Sequence, residues 1–292
     1  MTVEFMMPFY GSFALLRTAV ESVLAQDDDD WVLTVLDDAY PDPEPGRWVQ
    51  SLEDERIRYL RNTENLGVSG NFRKCADLAT ESLVCMIGCD DVVLPGYVRR
   101  MKCLATAHPE ASYLQPGVVV ISEDGSEVSP LADRVKRFYA PSRRPSVLQG
   151  PALARSLSRA CWTYFPSICW RLETLRSFPF DAGLDVALDL DVQLRIADAG
   201  GALVVDDVIT FHYRRHRASV SSWKADDGSR FIEERTVLDA AAARAQARGW
   251  TRAQRAARLR LSSRLSAITR LPSAVRARHA RGIAALVRHA LS

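Results

Sequence analysis

Two pairs of adjacent carboxylates, Asp37-Asp38 and Asp90-Asp91, follow the short apolar runs Trp31 to Leu36 and Leu83 to Ile87. Runs of that length without alternation read as strands covered on both faces, so the acids stand where a sheet opens to solvent. Carboxylates are hard oxygen ligands, and a pair at such a position suits Mg²⁺ or Mn²⁺ bridging a diphosphate; the metal would neutralise charge on a departing nucleotide. One acid of the first pair could instead accept from a nucleobase N–H. The same residues suit ordinary turns, as Leu94-Pro95-Gly96 after the second pair illustrates. Two acidic strand ends converging on one crevice favour chemistry over that reading.

Further candidates lie downstream. Asp189 and Asp191 open an apolar-periodic segment, Leu188 to Ala199, where a helix macrodipole favours the ionised carboxylate. That makes a sound helix N-terminus, and an ionised acid over the crevice can also take a proton from a hydroxyl as general base. Asn65 and Asn71 bracket the Gly67 to Gly70 loop, as turn formers or nucleotide contacts. His212 and His216 share a face whether their segment is strand or helix. They suit a metal, a phosphate or a polar surface, and Arg214, Arg215 and Arg217 favour the phosphate.

The elements that must position these groups can be read from apolar periodicity. Strands are expected at Val3 to Met7 (closed by Pro8), Trp31 to Leu36, Ile57 to Leu60 and Leu83 to Ile87, alternating with a helix capped by Ser12 and another capped by Ser69. That order indicates an α/β protein with a doubly wound, mostly parallel, Rossmann-like sheet, which binds ligands beyond the carboxyl ends of its strands. The second half is less regular. It contains an Asp124-Gly125 hairpin turn, a mobile loop from Ala140 to Pro145, a helix starting at Pro151, strands at Ala202 to Val205 and Val208 to Tyr213, and Ala/Arg-rich helices from Phe231, interrupted at Pro272.

Composition narrows the class. A 292-residue chain with 47% hydrophobic residues can hold one catalytic domain and a C-terminal appendage. The net charge of +2 argues for neither a nucleic-acid nor an acidic partner, and no nucleic acid is expected. The charge is unevenly placed, with ten Arg and no acid from Thr251 to Ser292. Six cysteines without a C-x-x-C pair fit a reduced, cytoplasmic compartment, and neither a signal peptide nor a membrane-spanning run is evident. Dinucleotide, P-loop, zincin and nucleophile-elbow motifs are absent from the sequence.

Taken in order, the motifs resemble the family 2 glycosyltransferases with a GT-A fold. They are Met7-Pro8-Phe9-Tyr10, Glu21 to Gln26, Val35-Leu36-Asp37-Asp38, Glu64 to Asn71, Asp90-Asp91, Asp189-x-Asp191-x-x-x-Arg195, and Tyr213-Arg214-Arg215-His216 before Ser219-Val220-Ser221. The resemblance covers residues 3 to 222, giving a catalytic domain 1–222, with a nucleotide-binding half 1–110 and an acceptor-binding half 111–222, and a helical region 223–292. It implies a nucleotide diphosphate sugar donor, UDP- or dTDP-linked, a divalent metal, and inverting transfer to a saccharide, lipid-linked or small-molecule acceptor. By position, Asp38 is implied as the nucleobase contact, Asp90 the ribose contact, Asp91 the metal ligand and Asp189 the general base, with His216 near the donor phosphates and the acceptor site and as an aid to Asp91 at the metal. Pro8, Tyr10, Asn65 and Asn71 complete the implied donor site; Asp37, Asp191, Arg195 and Arg214 are secondary candidates. Two departures stand out: Cys89 occupies the place of the family's first metal-motif acid, and Leu188 that of the acid before the base.

The Arg-rich tail carries Leu259, Leu261, Leu265, Ile268, Leu271, Ile283, Leu286 and Val287, which suits either peripheral attachment to the anionic inner face of a cell membrane or a helical hairpin packed on the catalytic domain. A second copy of the chain is a further candidate partner. Two competing functions are a non-catalytic nucleotide- or sugar-binding module, suggested by Cys89, and a sugar nucleotidyltransferase, which would need a basic Gly-rich loop where Tyr10-Gly11-Ser12 stands.

Overall fold

A computed structural model describes residues 1–142, 145–215, 228–276 and 280–291. Among them the strands are β1 (Val3–Phe9), β2 (Trp31–Asp37), β3 (Ile57–Arg61), β4 (Leu83–Cys85), β5 (Val92–Val93), β6 (Ala111–Ile121), β7 (Ser146–Gln149), β8 (Cys169–Arg171) and β9 (Ala202–Arg214). They form one mixed sheet in the order β3-β2-β1-β4-β8-β6-β9-β5, with β7 also on β9. The first four of that order run parallel, as do β6 and β9, so β1, β2 and β4 end on the same side.

Helices cover both faces because the central strands are apolar on both. Along β1, Val3, Phe5, Met7 and Phe9 pack into one core with Leu16, Val20 and Val23 of α1 (Phe13–Leu24) and Val98 and Met101 of α4 (Tyr97–Ala107). Met6 points the other way, into a second core with Leu157 of α6 (Gly150–Arg159) and Val192 and Ile196 of α8 (Leu188–Asp198). Glu4 also faces that side, fully buried, where it accepts from the Thr80 and Glu81 amides and pairs with Arg58. The remaining helices of this half are α2 (Glu44–Gln50), α3 (Gly67–Leu78), α5 (Leu131–Tyr139) and α7 (Leu172–Ser177).

The chain ends in four helices, α9 (Ser229–Ala247), α10 (Thr251–Leu259), α11 (Leu261–Arg276) and α12 (Ala280–Leu291). Val237, Leu238, Ala241, Ala245, Ala253 and Ala257 from the first two join the second core. In the last two, Ala267, Ala274 and Leu286 gather around Phe231 in a smaller cluster, while Leu261, Leu265 and Ile268 stay exposed.

Several local expectations change. Ser69 lies inside α3, where its hydroxyl donates to the Asp185 carboxylate, and Leu66 occupies the cap. The segments expected as two strands after Ala202 are one, because β9 keeps pairing with β6 across register shifts near Gln115 and Gly117. The β4 strand stops at Cys85, opposite Cys169, where its antiparallel partner β8 begins. β1 continues through Pro8, and α11 through Pro272, each element keeping its other backbone hydrogen bonds around one missing donor. The Asp124-Gly125 hairpin is as expected, closed by an Ile121–Glu127 bridge.

Candidate active site

At the shared carboxyl ends of β1, β2 and β4 opens a cleft of ≈1850 Å³. Pro8, Tyr10, Asp38, Asn65, Asn71, Asp90, Asp91, Asp189 and Arg214 all line it. Asp37, Asp191, Arg195 and His212 do not, and His216 and Arg217 lie outside the described residues.

The first acidic pair divides because neighbouring residues of an extended chain point to opposite sides. Asp37 turns away and accepts from the Tyr40 amide at 2.7 Å, the Tyr59 hydroxyl and the Arg61 guanidinium, and burial beside this carboxylate pushes the Tyr59 hydroxyl up to about 12. Asp38 turns into the cleft, where its carboxylate accepts from Asn62 Nδ2 and the Leu66 amide, both at 2.8 Å. Asn62 Nδ2 also reaches Asn71 Oδ1 at 3.0 Å, and Asn71 Nδ2 donates to the Leu36 carbonyl at 2.9 Å. This chain ties α3 to the end of β2, so the hydrogen bonds of Asn71 are structural although it borders the cleft. Directly after Asp38, Ala39 holds left-handed backbone (φ 57°), which costs roughly 1–3 kcal/mol and is found mostly at functional sites. Tyr10, half exposed just after β1, packs edge-on against Tyr40 with ring centroids 5.4 Å apart.

The second pair converges instead of dividing. A Cβ on Gly88 would stand 2.7 Å from both Asp90 Oδ1 and Asp91 Oδ2, so glycine is what lets both carboxylates close over the turn. Arg214, at the end of β9, holds this turn: its amide donates to Asp91 Oδ1 at 2.8 Å and its Nε to the Asp90 carbonyl at 2.7 Å. Its Nη1 reaches the Ser122 and Glu123 carbonyls, so the guanidinium fastens backbone as well as bordering the cleft. Burial, and next the charge of Asp90, raise the Asp91 carboxyl well above the usual carboxylate range. Crowded carboxylates of this kind are relieved by a proton or a cation. The donor set fits a divalent ion held by one or two carboxylates, with a diphosphate and water completing its shell. Among the described residues no cluster of three or more His, Cys, Asp or Glu adds to it. Cys89 borders the cleft, with its thiol pushed up to about 12 by burial and Asp90.

Across the cleft, Asp189 sits in the first turn of α8. Its Oδ1 accepts from the Leu190 amide at 2.8 Å and its Oδ2 lies 3.7 Å from Cys161 Sγ. Burial raises its carboxyl; Lys136, the Leu190 amide and Arg230 act in the opposite direction. Asp191, two positions on, faces away and pairs with Arg195 at 2.7 Å, while Arg195 also donates to the Pro179 carbonyl. The amides of Asp185, Val186 and Ala187 just before α8 all donate to Glu233 Oε2, at 3.0, 2.7 and 3.1 Å. A carboxylate on α9 thus anchors the loop that leads into the helix bearing Asp189. Trp162 and Trp170 are buried in the core, whereas Tyr164 borders the cleft with the Lys136 ammonium 4.3 Å from its ring centroid.

Sequence reasoning missed Asn62, Lys136, Arg230 and Glu233. None belongs to a short motif; Glu233 acts on residues 46–48 positions earlier, a relation no local pattern records.

A sequence model of glycosyl transferase family 2 matches residues 5–171, more than half of the chain. The chain belongs to glycosyl transferase family 2. It resembles the succinoglycan biosynthesis protein ExoO of Rhizobium meliloti, with 25% identity over 221 residues covering 75% of this chain and 62% of that protein. Protein y4gI of Sinorhizobium fredii is 29% identical over 115 residues, 39% of this chain and 13% of the relative. Among solved structures, S. aureus TarS 1-349 superposes with a TM-score of 0.61 at 13% identity, over 82% of this chain and 64% of TarS. The same protein in complex with UDP-GlcNAc gives 0.63 at 14% identity, over 82% of this chain and 66% of that one. This family 2 chain therefore spans less than two thirds of the length of each of these relatives, and its fold is of the GT-A type.

Proposed function

We propose that this family 2 chain is an inverting glycosyltransferase, moving a sugar from a UDP- or dTDP-sugar to an acceptor hydroxyl. The observation that carries this reading is one cleft holding acids at two strand ends, Asp38 after β2 and Asp90 and Asp91 after β4, opposite a further carboxylate, Asp189, on a helix N-terminus. Donor binding falls to the strand side: Tyr10 against the base, Asp38 at a base N–H, Asp90 at the ribose, with Asn65 beside them. Asp91, with Asp90 near it, would hold Mn²⁺ or Mg²⁺, which supplies charge neutralisation at the diphosphate. That TarS was solved with UDP-GlcNAc and with UDP supports a nucleotide-sugar donor.

Asp189 accepts the proton of the acceptor hydroxyl as that oxygen bonds to the anomeric carbon and the bond to the nucleotide diphosphate breaks. Its raised pKa suits this role, because a base must hold the proton it removes. Asp191 is tied to Arg195 and away from the cleft, which supports Asp189 over its neighbour.

Nucleotide release from UDP-GlcNAc and dTDP-glucose, measured with Mn²⁺ and with a chelator, tests the reading. Nucleotide binding without release or transfer from any nucleotide sugar would identify a binding module instead. Among the described residues no helix is long and apolar enough to cross a membrane. All six cysteines are free thiols, which supports a reducing, cytoplasmic site of action.

A further inference from the structure

The acceptor end of the cleft combines an unanswered cation with an apolar rim. Lys136 on α5 points inward beside Asp189 and Tyr164. An ammonium carries three donors. Among the described residues one of them has a protein acceptor, the Thr163 carbonyl at 2.7 Å, the Tyr164 ring lies beside the ammonium, and no carboxylate stands within salt-bridge distance. Burial lowers its pKa, and the charges of Asp133 and Asp189, which form no salt bridge with it, offset this only in part. A partly buried charge left in this state is stabilised when a ligand brings the opposite charge.

The same helix presents a stripe to the mouth of the cleft. Leu131, Val135 and Phe138 follow helical spacing, line the cleft, and are exposed; Phe138 is 77% exposed and Leu131 64%. Leu265 of α11, 60% exposed, borders the same opening. Leu261 and Ile268 share the exposed face of α11 with Leu265 at helical spacing, but of these three Leu265 alone joins Leu131, Val135 and Phe138 in rimming the cavity that holds the cation.

We propose that this end of the cleft binds a phosphate- or diphosphate-bearing lipid, with the anion on Lys136 and the apolar chain on the stripe formed by Leu131, Val135, Phe138 and Leu265. Its service as acceptor, through a hydroxyl of a sugar carried on that lipid, rests on the transferase reading; its binding does not. An uncharged glycan would leave both the ammonium and the stripe unused, and free phosphate would use the ammonium alone.

Calorimetric titration of the full chain with octyl phosphate below its micelle concentration, octyl glucoside and inorganic phosphate separates these ligands. Saturating UDP is present to block the donor side, and UDP is also titrated alone. Octyl phosphate is expected to bind at least tenfold more tightly than either control. Lys136→Gln should lose at least tenfold of that affinity without weakening UDP, and Lys136→Arg should recover it. Replacing the exposed Phe138 and Leu265 by Ser should bring octyl phosphate down to inorganic phosphate. Equal affinity for octyl phosphate and octyl glucoside, equal affinity for octyl phosphate and phosphate, or an unaffected Lys136→Gln overturns the proposal. UDP binding without an octyl phosphate preference overturns the lipid site alone; an octyl phosphate preference without UDP binding overturns the transferase reading alone.

Discussion

Asp189→Asn isolates proton transfer from everything else this residue does. The amide keeps the shape of the carboxylate, and its Oδ1 can still accept the Leu190 amide, now 2.8 Å away. What is lost is the capacity to take a proton. A positioned general base typically contributes about 10²–10⁴-fold, so kcat should fall by that factor, about 2.7–5.4 kcal/mol of barrier. Stability should barely move. Losing an anion in the first turn of a helix costs about 0.3–1 kcal/mol, and removing a charge that burial disfavours acts the other way. A residue of 1 kcal/mol shifts the Tm of a domain this size by only about 2–4 °C. Nucleotide release and UDP titration, run beside a thermal melt, give all three quantities. Asp191→Asn is the matched control, since it breaks an i,i+4 pair with Arg195 worth about 0.3–0.5 kcal/mol and should keep most turnover. Wild-type turnover in Asp189→Asn, or an equal loss in Asp191→Asn, would refute the assignment.

Turnover should also follow pH from the raised Asp189 carboxyl. The ionised, accepting form is lost as pH falls through that raised value, so the acid limb of kcat should lie above the ordinary carboxylate range and vanish from the residual rate of Asp189→Asn. The same shift has an opposite sign in stability, because the folded state holds this proton more tightly than the unfolded chain and ionisation costs stability as pH rises. Gly88→Ala places a Cβ 2.7 Å from both Asp90 and Asp91, so it should weaken Mn²⁺-dependent UDP binding at least tenfold in calorimetry, while circular dichroism stays native. Glu233→Gln leaves the three amides before α8 with a weaker acceptor; a loss of about 1–2 kcal/mol in urea melts with reduced kcat and unchanged UDP affinity is expected.

The donor half was legible because it is built from local signals. Apolar runs ending in acids mark strands and their ends, and Ser12 caps α1 as its position suggests. Adjacent acids could not be separated by type alone: strand alternation sends Asp37 to Tyr59 and Arg61 while Asp38 enters the cleft. Helical geometry likewise parts Asp189 from Asp191, since two positions turn the side chain by about 200°. Ser69 shows the opposite failure, a residue of the right type for a cap whose hydroxyl serves a distant carboxylate. What stayed hidden depends on contacts across long stretches of chain: Asn62 between Asp38 and Asn71, Lys136 beside Asp189, and Glu233 before α8.

The Glu233 contact bears on how the chain is made and how it can be recut. Synthesis proceeds from the N-terminus, so the loop before α8 emerges with three amides that gain their acceptor only after a further 46–48 residues, through α8, β9 and the first turn of α9, have been made. The family match stops at residue 171, yet the candidate base and the carboxylate that anchors its loop both lie beyond it. A chimera joined near residue 171 would exchange donor halves and keep the anchor, whereas one joined near 222 would separate Asp189 from Glu233 and should behave as a protein with a loosened acceptor side.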